Sequence, residues 1–178
     1  MSGRGRLRGS DPDVKIYASH HLPCSVETFW RLYFDDEYKE ALDREMDLAE
    51  HVILEDVPRG DRRFIRARLT PNREIPKAVQ KVFRSATLSY VEERLYDADR
   101  SRIDWTALHD MLGKRFRCSG QFSVQPEGDG SRRILDGSIE VKILGVGRLI
   151  EKTIASDVER TYDVSARFIG RWLEEHPE

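Results

Sequence analysis

The feature that most constrains the fold is the closing stretch, Gly147-Arg-Leu-Ile-Glu-Lys-Thr-Ile-Ala-Ser-Asp-Val-Glu-Arg-Thr-Tyr-Asp-Val-Ser-Ala-Arg-Phe-Ile-Gly-Arg-Trp-Leu173. Nothing inside it breaks a helix except Gly170, near its end. Ile150, Ile154, Val158, Tyr162, Phe168, Ile169, Trp172 and Leu173 recur at intervals of three and four, while Glu159, Asp163, Arg167, Arg171 and Glu174 mark the opposite face. The pattern predicts one amphipathic helix of roughly 25 residues, about 37 Å long. Such a helix needs a partner surface for its apolar stripe. Thr161 and Ser165 fall on or near the inward side. Two readings stay open: a core helix with tolerated polar residues, or a helix forming one wall of a cavity.

The rest of the chain offers a sheet. Val14 to Leu22 alternates, with Ile16, Ala18, His20 and Leu22 on one face. Ser25 is a good N-cap for a short helix carrying Val26, Phe29, Trp30 and Tyr33. A second short helix starts at Asp35 or Asp36 and runs through Tyr38, Ala41 and Leu42. Six strands follow by pattern: 46–57, 63–70, 86–97, 101–109, 115–125 and 132–143. Pro58-Arg-Gly-Asp61 and a Glu-Gly-Asp-Gly run after Pro126 read as hairpin turns. The segment 71–80, PNREIPKAVQ, reads as a loop with two prolines. Long strands joined by tight turns make an antiparallel meander. The order is β-α-α, six strands, then the long helix. An α+β fold results, in which a curved antiparallel sheet of about seven strands wraps the C-terminal helix.

Length suits a single domain over 14–178, preceded by a disordered basic tail over 1–13. Arg4, Arg6 and Arg8 in that tail are candidates for contact with anionic headgroups. The net charge of −2, from 30 basic and 32 acidic residues well mixed, argues against nucleic acid as the main partner. No apolar run approaches a membrane span, and no apolar core follows the N-terminal arginines as in a signal peptide. The expected location is the cytoplasm, with peripheral contact at membranes as an option.

Cys24 and Cys118 lack metal-ligand spacing and read as small buried apolar residues. No phosphate loop, dinucleotide fingerprint, zinc motif or nucleophile elbow is present, so neither metal nor cofactor is expected. The Gly145-Val146-Gly147 pair reads as a flexible turn.

The opening strand, the Ser25-led helix, the paired short helices, the six-strand run and residues 137–152 (GSIEVKILGVGRLIEK) resemble the START-like superfamily, the helix-grip fold of polyketide cyclases and lipid-transfer domains. The closing pattern is also similar to sterol-binding VASt domains. This resemblance implies a deep apolar cavity between sheet and long helix, usually occupied by lipids, sterols or polyketides. The lining is expected from Trp30, Tyr33, Phe34, Phe64, Tyr90, Trp105, Ile150, Ile154, Val158, Thr161, Ser165 and Phe168. Ile75, Val79 and Val146 are expected to flank the entrance. The function expected is binding a hydrophobic small molecule, a lipid or sterol, and carrying or presenting it without catalysis. The alternative is a cyclase or dehydratase using an acid–base pair from among Tyr90, His109, Asp136 and Glu140. Arg66 and Arg68 alternate with Ile65, Ala67 and Leu69 and are expected on the solvent face.

Overall fold

The computed structural model describes residues 13–177. All of the expected basic tail except Asp13 lies outside the described residues. Strand β1 (Val14–Leu22) leads into helices α1 (Val26–Tyr33) and α2 (Asp36–Glu45). Each helix starts on a side-chain cap: Ser25 accepts from the Thr28 amide and Asp35 from the Tyr38 amide. Capping of this kind satisfies donors that the first helical turn leaves open. Strands β2 (Leu48–Arg59) and β3 (Arg62–Pro71) follow, then a short helix α3 (Lys77–Phe83). The chain continues through β4 (Tyr90–Asp97), β5 (Arg102–Leu108), β6 (Phe116–Glu127) and β7 (Gly130–Val141) into α4 (Gly147–Glu175).

The seven strands form one antiparallel sheet in the order β1-β7-β6-β5-β4-β3-β2. The sheet curves partly around α4, which gives the helix-grip arrangement expected from the element order. Helix α4 packs chiefly on β1 and β7, with α2 against its later turns. Ile16, Leu22, Leu135, Ile139, Ile150 and Ile169 are almost wholly buried in that contact. Each contributes roughly 1.5–3 kcal/mol relative to exposure. The other half of the sheet, β3 to β5, stands away from the helix.

Two glycines fit the sheet to its contents. Gly120 and Gly137 are paired across β6 and β7, and Gly120 also faces Trp105 on β5. A Cβ on either glycine would lie within 2.9 Å of the Trp105 ring. Their bare backbones give the indole its seat, and strand glycines mark such close approaches.

The start of α4 has no side-chain cap on its first amides. Its anchor is Glu151, buried, whose Oε1 accepts from the Val141 amide at 2.8 Å and whose Oε2 accepts from Arg148 at 3.2 Å. A Cβ on Gly147 would meet the Val141 carbonyl at 2.3 Å. The Gly145–Gly147 turn is therefore a close joint between β7 and α4. The expected loop over 71–80 is also corrected, because its second half is helical. Pro76 precedes the first turn of α3, where a missing amide costs nothing. Val79 and Phe83 on α3 are buried, and tertiary packing stabilises a helix this short.

Candidate functional site

Between α4 and the far half of the sheet lies a cavity of about 470 Å³. That is within the range of small-molecule pockets. Alternation along the strands decides what faces it. Ile65 and Leu69 project from β3, Ile103, Trp105 and Ala107 from β5, and Phe116, Cys118 and Phe122 from β6. Helix α4 contributes Ile154, Val158, Thr161, Tyr162, Ser165 and Ile169, and α1 contributes Phe29 and Tyr33, with Phe34 at its C-terminal cap. The wall is mainly aromatic and aliphatic.

Of the expected lining residues, Tyr33, Phe34, Tyr90, Trp105, Ile154, Val158, Thr161 and Ser165 face the cavity. Four do not. Trp30 lies behind the wall, 5.4 Å from the Tyr33 ring and stacked at 5.5 Å on Phe122, so it supports lining residues without reaching the space. Phe64 shares the outer face of β3 with Arg66 and Arg68, under the Arg59 guanidinium 3.4 Å from its ring. Ile150 is sealed between helix and sheet. Phe168 packs on Tyr38 and Trp172, between α2 and α4. Arg66 and Arg68 are half-buried and exposed, respectively, on that outer face.

The mouth also differs from expectation. Ile75 lines the cavity, but Val79, 1% exposed, is part of the core. Val146 packs at the β7–α4 joint, away from the cavity lining. Residues near the opening come from α2, β2, the segment before α3 and the middle of α4, including Asp43, His51, Ile53, Arg73, Ile75, Asp157 and Arg160. Arg73 spans this region. Its guanidinium meets Asp157 at 2.6 Å and donates to the Met46 carbonyl at 2.9 Å. Beside it, His51 bonds Asp43 at 2.8 Å.

Thr161 and Ser165 are accommodated by their own helix. The Thr161 hydroxyl donates to the Asp157 carbonyl at 2.8 Å and the Ser165 hydroxyl to the Tyr162 carbonyl at 3.0 Å. Such back-bonding lets hydroxyls face an apolar space.

Sequence reading missed the charged groups inside. Tyr90, Glu92 and Arg94 share one face of β4, and all three line the cavity. Glu92 stands between Ala67 on β3 and Ala107 on β5, whose small side chains leave it room. It forms a close ion pair with Arg94, which sits between Ile65 and Trp105. Burial pulls the Arg94 guanidinium down, but Glu92 beside it outweighs that and holds it above the usual arginine range. Burial raises the Tyr33, Tyr90 and Tyr162 hydroxyls, keeping them neutral, and pushes the Cys118 thiol up to about 12. The two-residue spacing from Tyr90 was the signal available in the sequence.

Arg133 on β7 differs from Arg94. Only 7% exposed, it lines the cavity and donates from Nη2 to the Tyr162 carbonyl at 2.7 Å. Its guanidinium lies 4.6 Å from the Tyr162 ring centre. The buried Nε has no partner, and burial pushes the group below the usual arginine range.

The candidate acid–base residues divide. Tyr90 and His109 line the cavity. Asp136 and Glu140 lie on the outer face of β7: Asp136 is exposed, and Glu140 pairs with Arg117 and Lys142. Neither orients His109. That ring packs 4.6 Å from Phe83, with its buried Nδ1 unpartnered.

Residues 17–173 match the model of a family described as "Protein of unknown function (DUF2505)". No curated protein matches the sequence. Among solved structures, TTHA0849 from Thermus thermophilus is similar at 20% identity and TM-score 0.63, over 88% of this chain and 97% of that one. The Zhui aromatase/cyclase from Streptomyces sp. R1128 is similar at 12% identity and TM-score 0.65, over 93% and 96%. A START superfamily protein from Mycobacterium smegmatis is similar at 15% identity and TM-score 0.60, over 89% and 98%. At such identities the likeness establishes the fold alone, the helix-grip arrangement that these structures share.

Proposed function

The chain belongs to the DUF2505 family, and since that description names no activity, we propose from its cavity that it binds a hydrophobic small molecule, a lipid or sterol, and carries or presents it. The observation that carries this reading is the space of about 470 Å³ walled by Phe29, Phe34, Trp105, Phe122, Ile154 and Val158. Apolar area of that kind favours an apolar guest, and burying about 400 Å² would contribute on the order of 10 kcal/mol before association costs. The likeness of residues 137–152 to VASt domains is what brings sterols into the reading.

Native mass spectrometry of protein purified from its own host, followed by organic extraction, tests it. A lipid or sterol bound near one to one is the expected result. An empty protein that ignores a lipid and sterol panel would sink the proposal.

His109 and Tyr90, both facing the cavity, favour a second reading as a cyclase or dehydratase. Burial keeps the His109 imidazole below the ordinary histidine range, so it is a free base at neutral pH. Turnover of a polyketide by the purified protein, lost in His109→Gln, would select this reading over the carrier.

A further inference from the structure

Among the described residues, one cation that lines the cavity has no carboxylate in salt-bridge contact. Arg94 is matched by Glu92, but among the described residues no carboxylate forms a salt bridge with Arg133. The groups facing it are Tyr33 from α1, Tyr38 from α2, and Tyr162 and Asp163 from α4. The three tyrosines stay neutral. Asp163 is 55% exposed and engaged by His20 at 2.7 Å. A guanidinium buried to this degree is ordinarily paired with an anion. Here one Nη2 contact to a helix carbonyl and one aromatic face are its partners, and Nε has none.

Resting on the reading of the cavity as a hydrophobic-ligand site, we propose that its occupant is an anionic amphiphile whose carboxylate, or an equivalent oxyanion, is received by Arg133. The apolar body then extends along Phe122, Trp105 and Ile154 towards the mouth near Ile75. A planar guanidinium with unused donors suits an oxyanion, and a charge-assisted hydrogen bond in a dry site is among the stronger ones available. This assigns the cavity a pole as well as a volume. A neutral sterol or glyceride would leave the charge unmatched.

The test uses the full chain, delipidated, and two pairs of probes that differ only in charge: myristate with its methyl ester, and lithocholate with its methyl ester. Calorimetric titration at neutral pH should show at least one acid bound about tenfold or more tightly than its ester, the scale of a charged hydrogen bond. Arg133→Met should erase that preference while leaving ester affinity in place. If Arg133→Met does not fold, Arg133→Lys keeps the charge with a different donor geometry and should retain part of the preference. The wild-type comparison needs no variant. Equal affinity for acid and ester in both pairs overturns the proposal while leaving the apolar-cavity reading standing. An acid preference that survives Arg133→Met intact overturns the assignment to Arg133. Binding of none of the four probes removes both the anion proposal and the hydrophobic-ligand reading beneath it.

Discussion

His109 shows how one side chain records the polarity of its surroundings. Its ring rests against Phe83 at 4.6 Å and Phe116 at 6.2 Å. Burial lowers its affinity for a proton, against a weaker opposing pull from Asp110. The unfolded chain takes up a proton near pH 6.5 that the folded site refuses. The unfolded state therefore binds more protons in this window, and stability rises with pH. His109 thus stabilises the fold fully above about pH 6.5, and loses that contribution as pH falls towards its lowered folded value. Thermal unfolding should show Tm falling between about pH 7 and pH 5, more steeply in the wild type than in His109→Gln. Parallel profiles would refute the burial of this ring. At the same scale, Gly137→Ala pushes a methyl to 2.7 Å from the Trp105 ring. It should cost about 1–3 kcal/mol in denaturant unfolding and shift Trp emission. An unchanged midpoint would mean that the indole is seated elsewhere.

Among the elements, α3 and the segment before it decide how the mouth is built. Ile75 faces the cavity, while Val79, one turn into α3, is sealed in the core. The two residues should therefore respond differently to the same change. Ile75→Asp should slow lipid pick-up from vesicles with little change in Tm. Val79→Asp buries an unpaired carboxylate and should destabilise by about 3 kcal/mol or more. If both variants slow uptake at unchanged stability, Val79 is a mouth residue after all. The reason α3 was hidden in the sequence is physical: Lys77–Phe83 is too short to be helical on its own, and only Val79 and Phe83 packing inward hold it. Strand β4 is a different case. The expectation of Tyr90 at the cavity already sets its phase, and the register with β3 and β5 carries Glu92 and Arg94 to the same face. Phe64 departs from expectation because its alternation with Ile65 places it outside.

At the scale of the whole molecule, the cavity exists because α4 is docked on only one side of the sheet. Its stripe is buried on β1 and β7, and Glu151 and Gly147 fix the angle at which it leaves β7. The space left beside β3, β4 and β5 is not closed by protein. A ligand filling it binds the folded state alone. At a hundredfold excess over Kd it adds about 2.7 kcal/mol. At about 2–4 °C per kcal/mol for a chain of this size, Tm should rise by roughly 5–10 °C. A Tm indifferent to a bound apolar ligand would mean that the ligand binds the unfolded chain as well as the folded one, and so does not depend on the cavity.

The sequence alone determined the order of the strands, the two helices after β1, the long amphipathic helix and the meander, though not α3, because period and turn chemistry are local properties. Ser25, Asp35 and the glycine turns mark boundaries that neighbouring residues suffice to set. The tertiary structure decided which of two faces each strand turns inward, and so which aromatics line a cavity and which support it. It also decided that Glu92 and Arg94 neutralise one another while Arg133 has no carboxylate partner among the described residues. Glu92 and Arg94 are neighbours on one strand, but that their shared face turns to the cavity, and that no described carboxylate from a distant element pairs with Arg133, depend on the register of the sheet and the docking of α4.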